Sequence, residues 1–404
     1  TRLEEIDRTI DNPHNYLYYL ATPPLLYGVI PRHLKAEGLN REGDGFRRIV
    51  VEKPFGYDLS SALELNRIYL DAFREEQIYR IDHFLGKETV QNILALRFAN
   101  SVFEPLWNRN YIDYVEITAV ENMGIGTRGG FYDGVGTLRD MVQNHLAQLL
   151  AVTAMEPPAA FDASGFRNEV VKVYQSLTPL TGEDIRHSVV RGQYMASEGR
   201  KGYREEEQVP ALSRTETYLA MRLELNNWRW GGVPFYIRTG KQMPTKVSEI
   251  VIHFKPAPYS LFRCEGGTCP VPNRLVIRIQ PNEGIVLRLG MKKPGEGFEV
   301  LPMDMDFSYA ELGRLPTEDA YARLIEDCIA GDPTLFIRSD AVESGWRFFD
   351  PILKYWQDVP ECPLYGYPAG SWGPLEADSL VARQGASWTN PCKNLTNTHL
   401  YCEL

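Results

Sequence analysis

Positive charge is in deficit in this chain. Forty-three Lys and Arg stand against 53 Asp and Glu, for a formal net charge of −10. A general nucleic-acid or membrane-surface binder carries a basic patch or tail, so those partners are set aside. A small anionic substrate is not, because a local group of Lys and His can oppose the overall field. No apolar run approaches the roughly 18–20 residues that a membrane span needs. The N-terminal Thr1-Arg2-Leu3-Glu4-Glu5 has neither a secretory pattern nor an initiator Met, and Thr1 reads as a position inside a longer protein. Internal repeats and low-complexity linkers are absent. The six cysteines, Cys264, Cys269, Cys328, Cys362, Cys392 and Cys402, include no C-x-x-C pair, and no His residues stand at metal-ligand spacing. Reduced thiols, a cytoplasmic setting and no metal are the expectation.

What is present is enough chain for two full-sized cores: 404 residues, 44% hydrophobic and 24% charged. Residues 15–82 alternate strand and helix. Tyr16–Ala21 reads as a strand, Leu25–Leu39 as a helix opened by Pro23-Pro24, and Arg47–Glu52 as a buried strand. Leu59–Phe73 reads as a helix capped by Asp58, and Gln77–Asp82 as a third strand. This βαβαβ order predicts a partial doubly wound, Rossmann-like parallel unit. Three strands are too few for a whole dinucleotide domain, so the remainder is expected before Thr1. Helices are expected at Lys87–Phe98, Leu138–Met155, Glu318–Ile329 and Ala341–Tyr355. Strands with few intervening helices are expected at Val170–Leu177, Tyr218–Asn226, Glu249–Lys255, Leu275–Gln280 and Ile285–Leu289. The fold class is therefore α/β plus α+β. Residues 1–82 form the remainder of a dinucleotide-binding domain, and residues 83–404 form an α+β domain with a large, mainly antiparallel sheet. Thr389–Leu404 is polar and aperiodic, and is expected to be poorly ordered.

Two stretches carry candidate chemistry. In Leu138–Leu150, His145 falls on the apolar stripe of Leu138, Met141, Val142, Leu146 and Leu149. It is either a core histidine or a general base set by a partner. At about 100° per residue, Asp140 lies some 140° round an α-helix from His145, so a carboxylate partner should come from another element. Asp140 instead shares a polar stripe with Asn144 and Gln148. The run Arg80-Ile81-Asp82-His83-Phe84-Leu85-Gly86-Lys87 follows a parallel strand and opens a helix. There, His83, Lys87 and free N–H groups form either a phosphate cradle or an ordinary helix start. Glu52-Lys53-Pro54-Phe55-Gly56 ends another parallel strand, and Gly231–Lys246 holds the basic set Arg238, Lys241 and Lys246 beside Gly240. Gly124-Ile125-Gly126-Thr127-Arg128-Gly129 fits G-x-G-x-x-G, but no helix is expected directly after it and it follows the parallel unit, so it is rejected as a dinucleotide fingerprint.

Together these segments resemble the glucose-6-phosphate dehydrogenase family along nearly the whole chain, from Tyr19–Pro24 to Ser371–Pro374. The sharpest matches are Glu52–Gly56, Arg80–Glu88, Arg139–His145 and Gly232–Lys241. The resemblance implies oxidation of glucose 6-phosphate at C1 to the 6-phosphogluconolactone, the first step of the pentose phosphate pathway, with NADP or sometimes NAD reduced. It also implies a homodimer or homotetramer. By position, His145 matches the catalytic base and Asp82 the carboxylate that orients it. His83, Lys87 and Lys246 match phosphate ligands, and Glu121 and Asp140 match residues on sugar hydroxyls. Lys53 and Lys241 match lysines at the substrate, Lys53 also reaching the coenzyme. Tyr27 and Pro54 match positions beside the nicotinamide. The chain departs at Phe84, where the family usually has Tyr, in the absence of the glycine-rich G-x-x-G-D-L-A segment, and after Trp388. A dehydrogenase for another sugar or polyol, and a truncated sugar-phosphate-binding or scaffold protein, are the rival readings.

Overall fold

The computed structural model describes residues 2–10, 14–259, 261–262, 273–295, 297–312, 319–382 and 386–391. Helix α1 (Arg2–Ile10) precedes three parallel strands, β1 (Tyr16–Leu20), β2 (Arg47–Val51) and β3 (Ile78–Arg80), in the order β1-β2-β3. The expected long helix after β1 is shorter. Pro24–Leu26 makes one tight turn, and α2 covers only Val29–Ala36. Gly28 lies between them, where a Cβ would come 3.2 Å from Ile68 on the next helix, so the chain bends at its closest approach. Helix α3 (Leu59–Ala72) is capped as expected, with the Asp58 carboxylate accepting from the Ser61 N–H at 2.7 Å.

Beyond β3 come α4 (Glu88–Phe98), β4 (Ile112–Val120), α5 (Gly129–Asp133), a widely wound helical segment at Leu138–Leu146 and its α-helical continuation α6 (Ala147–Ala154). Then follow α7 (Ala163–Ser176), α8 (Gly182–Ser188), β5 (Val189–Met195), β6 (Tyr218–Glu224), β7 (Pro234–Gly240), β8 (Val247–Phe254), β9 (Arg274–Gln280), β10 (Gly284–Lys292) and β11 (Val300–Ser308). The last elements are α9 (Ala320–Ala330), α10 (Ser339–Asp358), β12 (Tyr365–Pro368) and α11 (Asp378–Val381). Strands β4–β12 form one nine-stranded sheet, ordered β11-β10-β9-β8-β4-β7-β6-β5-β12. Six of its neighbouring pairs are antiparallel, while β4–β7 and β5–β12 are parallel. Among the described residues no helix is long and apolar enough to cross a membrane.

The expected strand Val170–Leu177 is instead the second half of helix α7. Its β-branched run reads as extended, but Phe166, Val170, Val173, Tyr174 and Leu177 recur at helical spacing and are all buried. The Asp162 side chain caps the helix through the Gly165 N–H. The tail is tied down at its start. Thr389 donates to Glu116 from its N–H (2.9 Å) and its hydroxyl (3.0 Å), and Arg238 donates to Asn390 Oδ1 (2.8 Å). The rest of that tail, 392–404, with Cys392 and Cys402, lies outside the described residues, as do Cys264 and Cys269. Cys328 and Cys362 are buried free thiols.

Topology gathers the site. The parallel register Val120↔Gly240 ends β4 and β7 at the same sheet edge, setting Glu121 beside Lys241. The register Val120↔Val247 starts β8 there, bringing Lys246, and Ser248↔Gln280 adds the end of β9. The carboxyl ends of β2 and β3 deliver Lys53 and Asp82–His83, and the Leu138–Leu146 segment brings His145 between the two sheets.

Candidate active site

A cavity of about 340 Å³ lies at this junction, and Lys53, Pro54, His83, Glu121, Asp140, His145, Lys241 and Lys246 line it. Eight of the eleven residues singled out from the sequence therefore share one wall. Asp82 stands directly behind His145. Lys87 is one contact away, its ammonium donating to the cavity residue Gln280 at 3.0 Å. Tyr27 does not line the cavity. It is buried in the core, where burial and then the nearby Glu52 push its hydroxyl up to about 12.

His145 and Asp82 are both almost fully buried, and Nδ1 lies 2.6 Å from Asp82 Oδ1. A carboxylate can only accept, so the proton sits on Nδ1 and Nε2 carries the free lone pair. Burial would raise Asp82, but the facing His145 outweighs it and the carboxyl is held below its ordinary range. The Phe84 ring stacks on the imidazole, with centroids 4.5 Å apart and planes at 21°. Phe84 offers no hydroxyl, but it fixes the plane of the ring.

Lys53 ties the centre together. Its ammonium donates to His145 Nε2 (2.8 Å), the Asp140 carbonyl (2.9 Å) and Asp140 Oδ1 (3.2 Å). Lys241 pairs with Glu121 and lies 3.3 Å from Asp140 Oδ2. Burial would push the Asp140 carboxyl up, yet Lys53 and Lys241 overcome that and bring it down to about 2. Asp140 and His145 thus face one cavity, contrary to the α-helical expectation. The segment that carries them winds with i→i+5 bonds, as in Ala147 N–H to Val142 O, so residues five apart come nearer one face than they do in an α-helix. The partner on Nδ1 is nonetheless from another element, as that geometry required.

The second charged group is different. Neither Lys87 nor Lys246 has a carboxylate at ion-pair distance among the described residues. Burial lowers the Lys87 ammonium; Glu283 opposes that and Lys246 adds to it. His83 is half-buried beside them. Burial and then His145 hold its imidazole down to about 4. Asp82, His83 and His145 also place ligand atoms within 4.8 Å of one another, a spacing that a metal could use. Both ring nitrogens of His145 are already engaged, one by the Lys53 ammonium, which opposes a cation there.

Sequence reasoning missed Gln280 and Ser248. Gln280 accepts from Lys87 and donates to Ser248 Oγ at 3.0 Å, and both line the cavity. Ser248 is the second residue of β8, two positions after Lys246, a period-two spacing that was there to be read. Gln280 depended on register. Arg238, grouped with Lys241 by sequence, points away, its guanidinium stacked over Trp372 and Trp388. The Gly124–Gly129 loop is followed by the short helix α5, contrary to expectation, and its Arg128 reaches the cavity rim. Two of its glycines are explained by packing and one by its backbone: a Cβ on Gly129 would lie 2.0 Å from the Glu207 carbonyl and one on Gly124 2.6 Å from the Glu206 carboxylate, while Gly126 has φ +57°.

Two family models match, the glucose-6-phosphate dehydrogenase NAD binding domain over residues 1–92 and the C-terminal domain of the same family over 94–389. The chain belongs to the glucose-6-phosphate dehydrogenase family. It is 54% identical to the glucose-6-phosphate 1-dehydrogenase of Aggregatibacter actinomycetemcomitans over 394 residues, covering 96% of this chain and 78% of the relative. It is 49% identical to that of Treponema pallidum, covering 100% and 79%. Among solved structures, a glucose-6-phosphate dehydrogenase in complex with its substrate glucose-6-phosphate superposes with a TM-score of 0.88 at 35% identity, over 96% of this chain and 79% of that one. The Mycobacterium avium enzyme superposes at 0.81 and 38%, over 96% and 80%. The family makes this chain an NADP-linked oxidoreductase. Part of the coenzyme's footprint fits: Lys53 and Pro54, at the carboxyl end of β2, line the cavity beside His145. The turn after β1, Ala21-Thr22-Pro23-Pro24, has no glycine and two prolines, so it cannot serve as a pyrophosphate cradle.

Proposed function

We propose that this chain oxidises D-glucose 6-phosphate at C1 to 6-phospho-glucono-1,5-lactone with NADP as acceptor, and that His145 is the general base. The observation that carries this reading is the Asp82–His145 pair, which presents an unprotonated Nε2 to a cavity that Lys246 lines and Lys87 adjoins, neither in an ion pair among the described residues. The substrate's C1 hydroxyl takes Nε2 over from Lys53. The coenzyme supplies the hydride acceptor. As the C1–H bond gives up its electron pair and C1=O forms, His145 Nε2 takes the hydroxyl proton, and ionised Asp82 stabilises the imidazolium. Glu121, Asp140 and Lys241 hold sugar hydroxyls, while His83, Lys87 and Lys246 hold the phosphate. Residues 1–82 serve the coenzyme and 83–404 the substrate. Lys53 and Pro54 reach the nicotinamide end, whereas Tyr27 is buried in the core near Glu52 and does not line the cavity. Buried free thiols at Cys328 and Cys362 accord with a cytoplasmic setting.

His145→Asn should cut kcat by about 10²–10⁴-fold while leaving the Kd for glucose 6-phosphate within a few-fold. Steady-state kinetics with calorimetry measures both, and retention of more than about a tenth of kcat contradicts a base of that worth.

The uncovered edge of the large sheet supports a homodimer as the minimal assembly. Strand β11 ends the sheet order, with no further strand paired to it among the described residues, and Met291, Phe298, Met303 and Met305 on its hairpin are more than half exposed. Light scattering at micromolar concentration should give at least twice the 46.1 kDa chain mass. Met305→Asp should move the protein toward monomer, and a monomeric parent protein removes the proposal.

A further inference from the structure

Asp82 has one oxygen to spare. Its Oδ1 accepts from the His145 Nδ1–H (2.6 Å) and the Phe84 N–H (3.0 Å), while the buried Oδ2 has no protein hydrogen-bond partner. A second buried polar atom is in the same condition: the hydroxyl of Tyr174, on α7. Beyond burial itself, the charge that acts on this hydroxyl and raises it further is the Asp82 carboxylate. An unpaired donor and an unpaired acceptor, both buried, are complementary, since every such group left alone costs stability. Beside the Tyr174 ring lies a cavity of about 20 Å³, lined also by Lys53 and by Ile81 and Asn144, the chain neighbours of Asp82 and His145. It leaves room for a small adjustment of the ring or for one water.

We propose that Tyr174 is a positioning residue for the Asp82–His145 pair: its hydroxyl supplies the hydrogen bond that Asp82 Oδ2 lacks, and so fixes the carboxylate against the imidazole. The proposal rests on the reading of His145 as the base. The charged and titratable groups that face the pair are His83 from the same turn, Lys53 from the end of β2 and Asp140 from the Leu138–Leu146 segment. From α7 the group is Tyr174. Tyr174 does not line the substrate cavity, so its loss should spare substrate binding.

Tyr174→Phe removes the hydroxyl and keeps the ring. The expected result is a fall in kcat of about threefold to tenfold, the scale of one hydrogen bond to a charged group, with KM for glucose 6-phosphate within twofold. The acid limb of the kcat/KM profile should move to higher pH, because a carboxylate relieved of a hydroxyl donor holds the imidazolium more strongly. Asp82→Asn, run beside it, should move that limb to lower pH with a larger loss of kcat. A Tyr174→Phe enzyme that keeps kcat and the acid limb, whatever its melting temperature, overturns the positioning role and leaves the pair intact. If Asp82→Asn also leaves kcat and profile unchanged, the reading of the pair itself fails.

Discussion

Around His145 the charges are ion-paired, whereas among the described residues neither Lys87 nor Lys246 is. Lys53 is held by Asp140 and by His145 Nε2, Lys241 by Glu121 and Asp140, and His145 by Asp82. Among the described residues Lys87 donates to Gln280, with Glu283 near enough to act on its charge but not paired with it, and Lys246 shares the cavity wall with Ser248 and Gln280. A compensated set is already organised before substrate arrives, and it suits a reaction in which a proton must move along one fixed line. Lys87, half-buried, and Lys246, exposed, stand without an ion pair and leave positive charge in place for an arriving anion. The two halves of the cavity should therefore fail differently, the first in kcat and the second in KM.

Lys246→Met gives the largest effect expected on the second half. A charge-assisted hydrogen bond of about 1.5–3 kcal/mol is lost, so KM for glucose 6-phosphate should rise about tenfold or more. The kcat should hold within a few-fold, and glucose without its phosphate should be oxidised equally slowly by parent and variant. Kinetics on both sugars decides the matter. A collapse of kcat with KM unchanged would mean that the two charge groups are one functional unit, and the contrast drawn here would be lost.

How much of this was legible beforehand follows from what each feature depends on. For the Asp82–His145 partnership, helix geometry predicted only a carboxylate from another element, and the family resemblance was what pointed to Asp82. The shared facing of Asp140 and His145 was not legible, since an apolar stripe at i, i+3, i+4 does not distinguish α winding from the wider i→i+5 winding found there. Helix α7 misled because Val-Val and Val-Tyr pairs favour strands locally, and only its burial against α6 and α10 overrides that preference. Gln280 was hidden because its role comes from cross-strand register with Ser248, a long-range fact that no local window contains. The glycines of Gly124–Gly129 imitated a phosphate loop because close backbone packing and close phosphate approach both exclude a Cβ.

The smallest effect expected is also the one that tests the contrast most finely, because His83 stands between the halves, its ring 4.7 Å from that of His145. Before substrate binds, burial and then His145 hold His83 down to about 4, so it is neutral at about pH 6, where an ordinary histidine near 6.5 is largely protonated. A phosphate dianion arriving beside it favours the imidazolium. Binding near pH 6 should therefore take up protons, and binding near pH 8 should not. Calorimetry in buffers of different ionisation enthalpy measures the uptake, and His83→Asn should abolish it with only a few-fold loss of affinity. The same shift has a sign in stability. Between about 4 and about 6.5 the unfolded chain binds the extra proton, so stability rises with pH through that window and is fully present above it. His83→Asn should flatten that part of the stability profile. Should proton uptake persist in the variant, some other group of the uncompensated half is titrating, and His83 belongs with the organised side of the cavity.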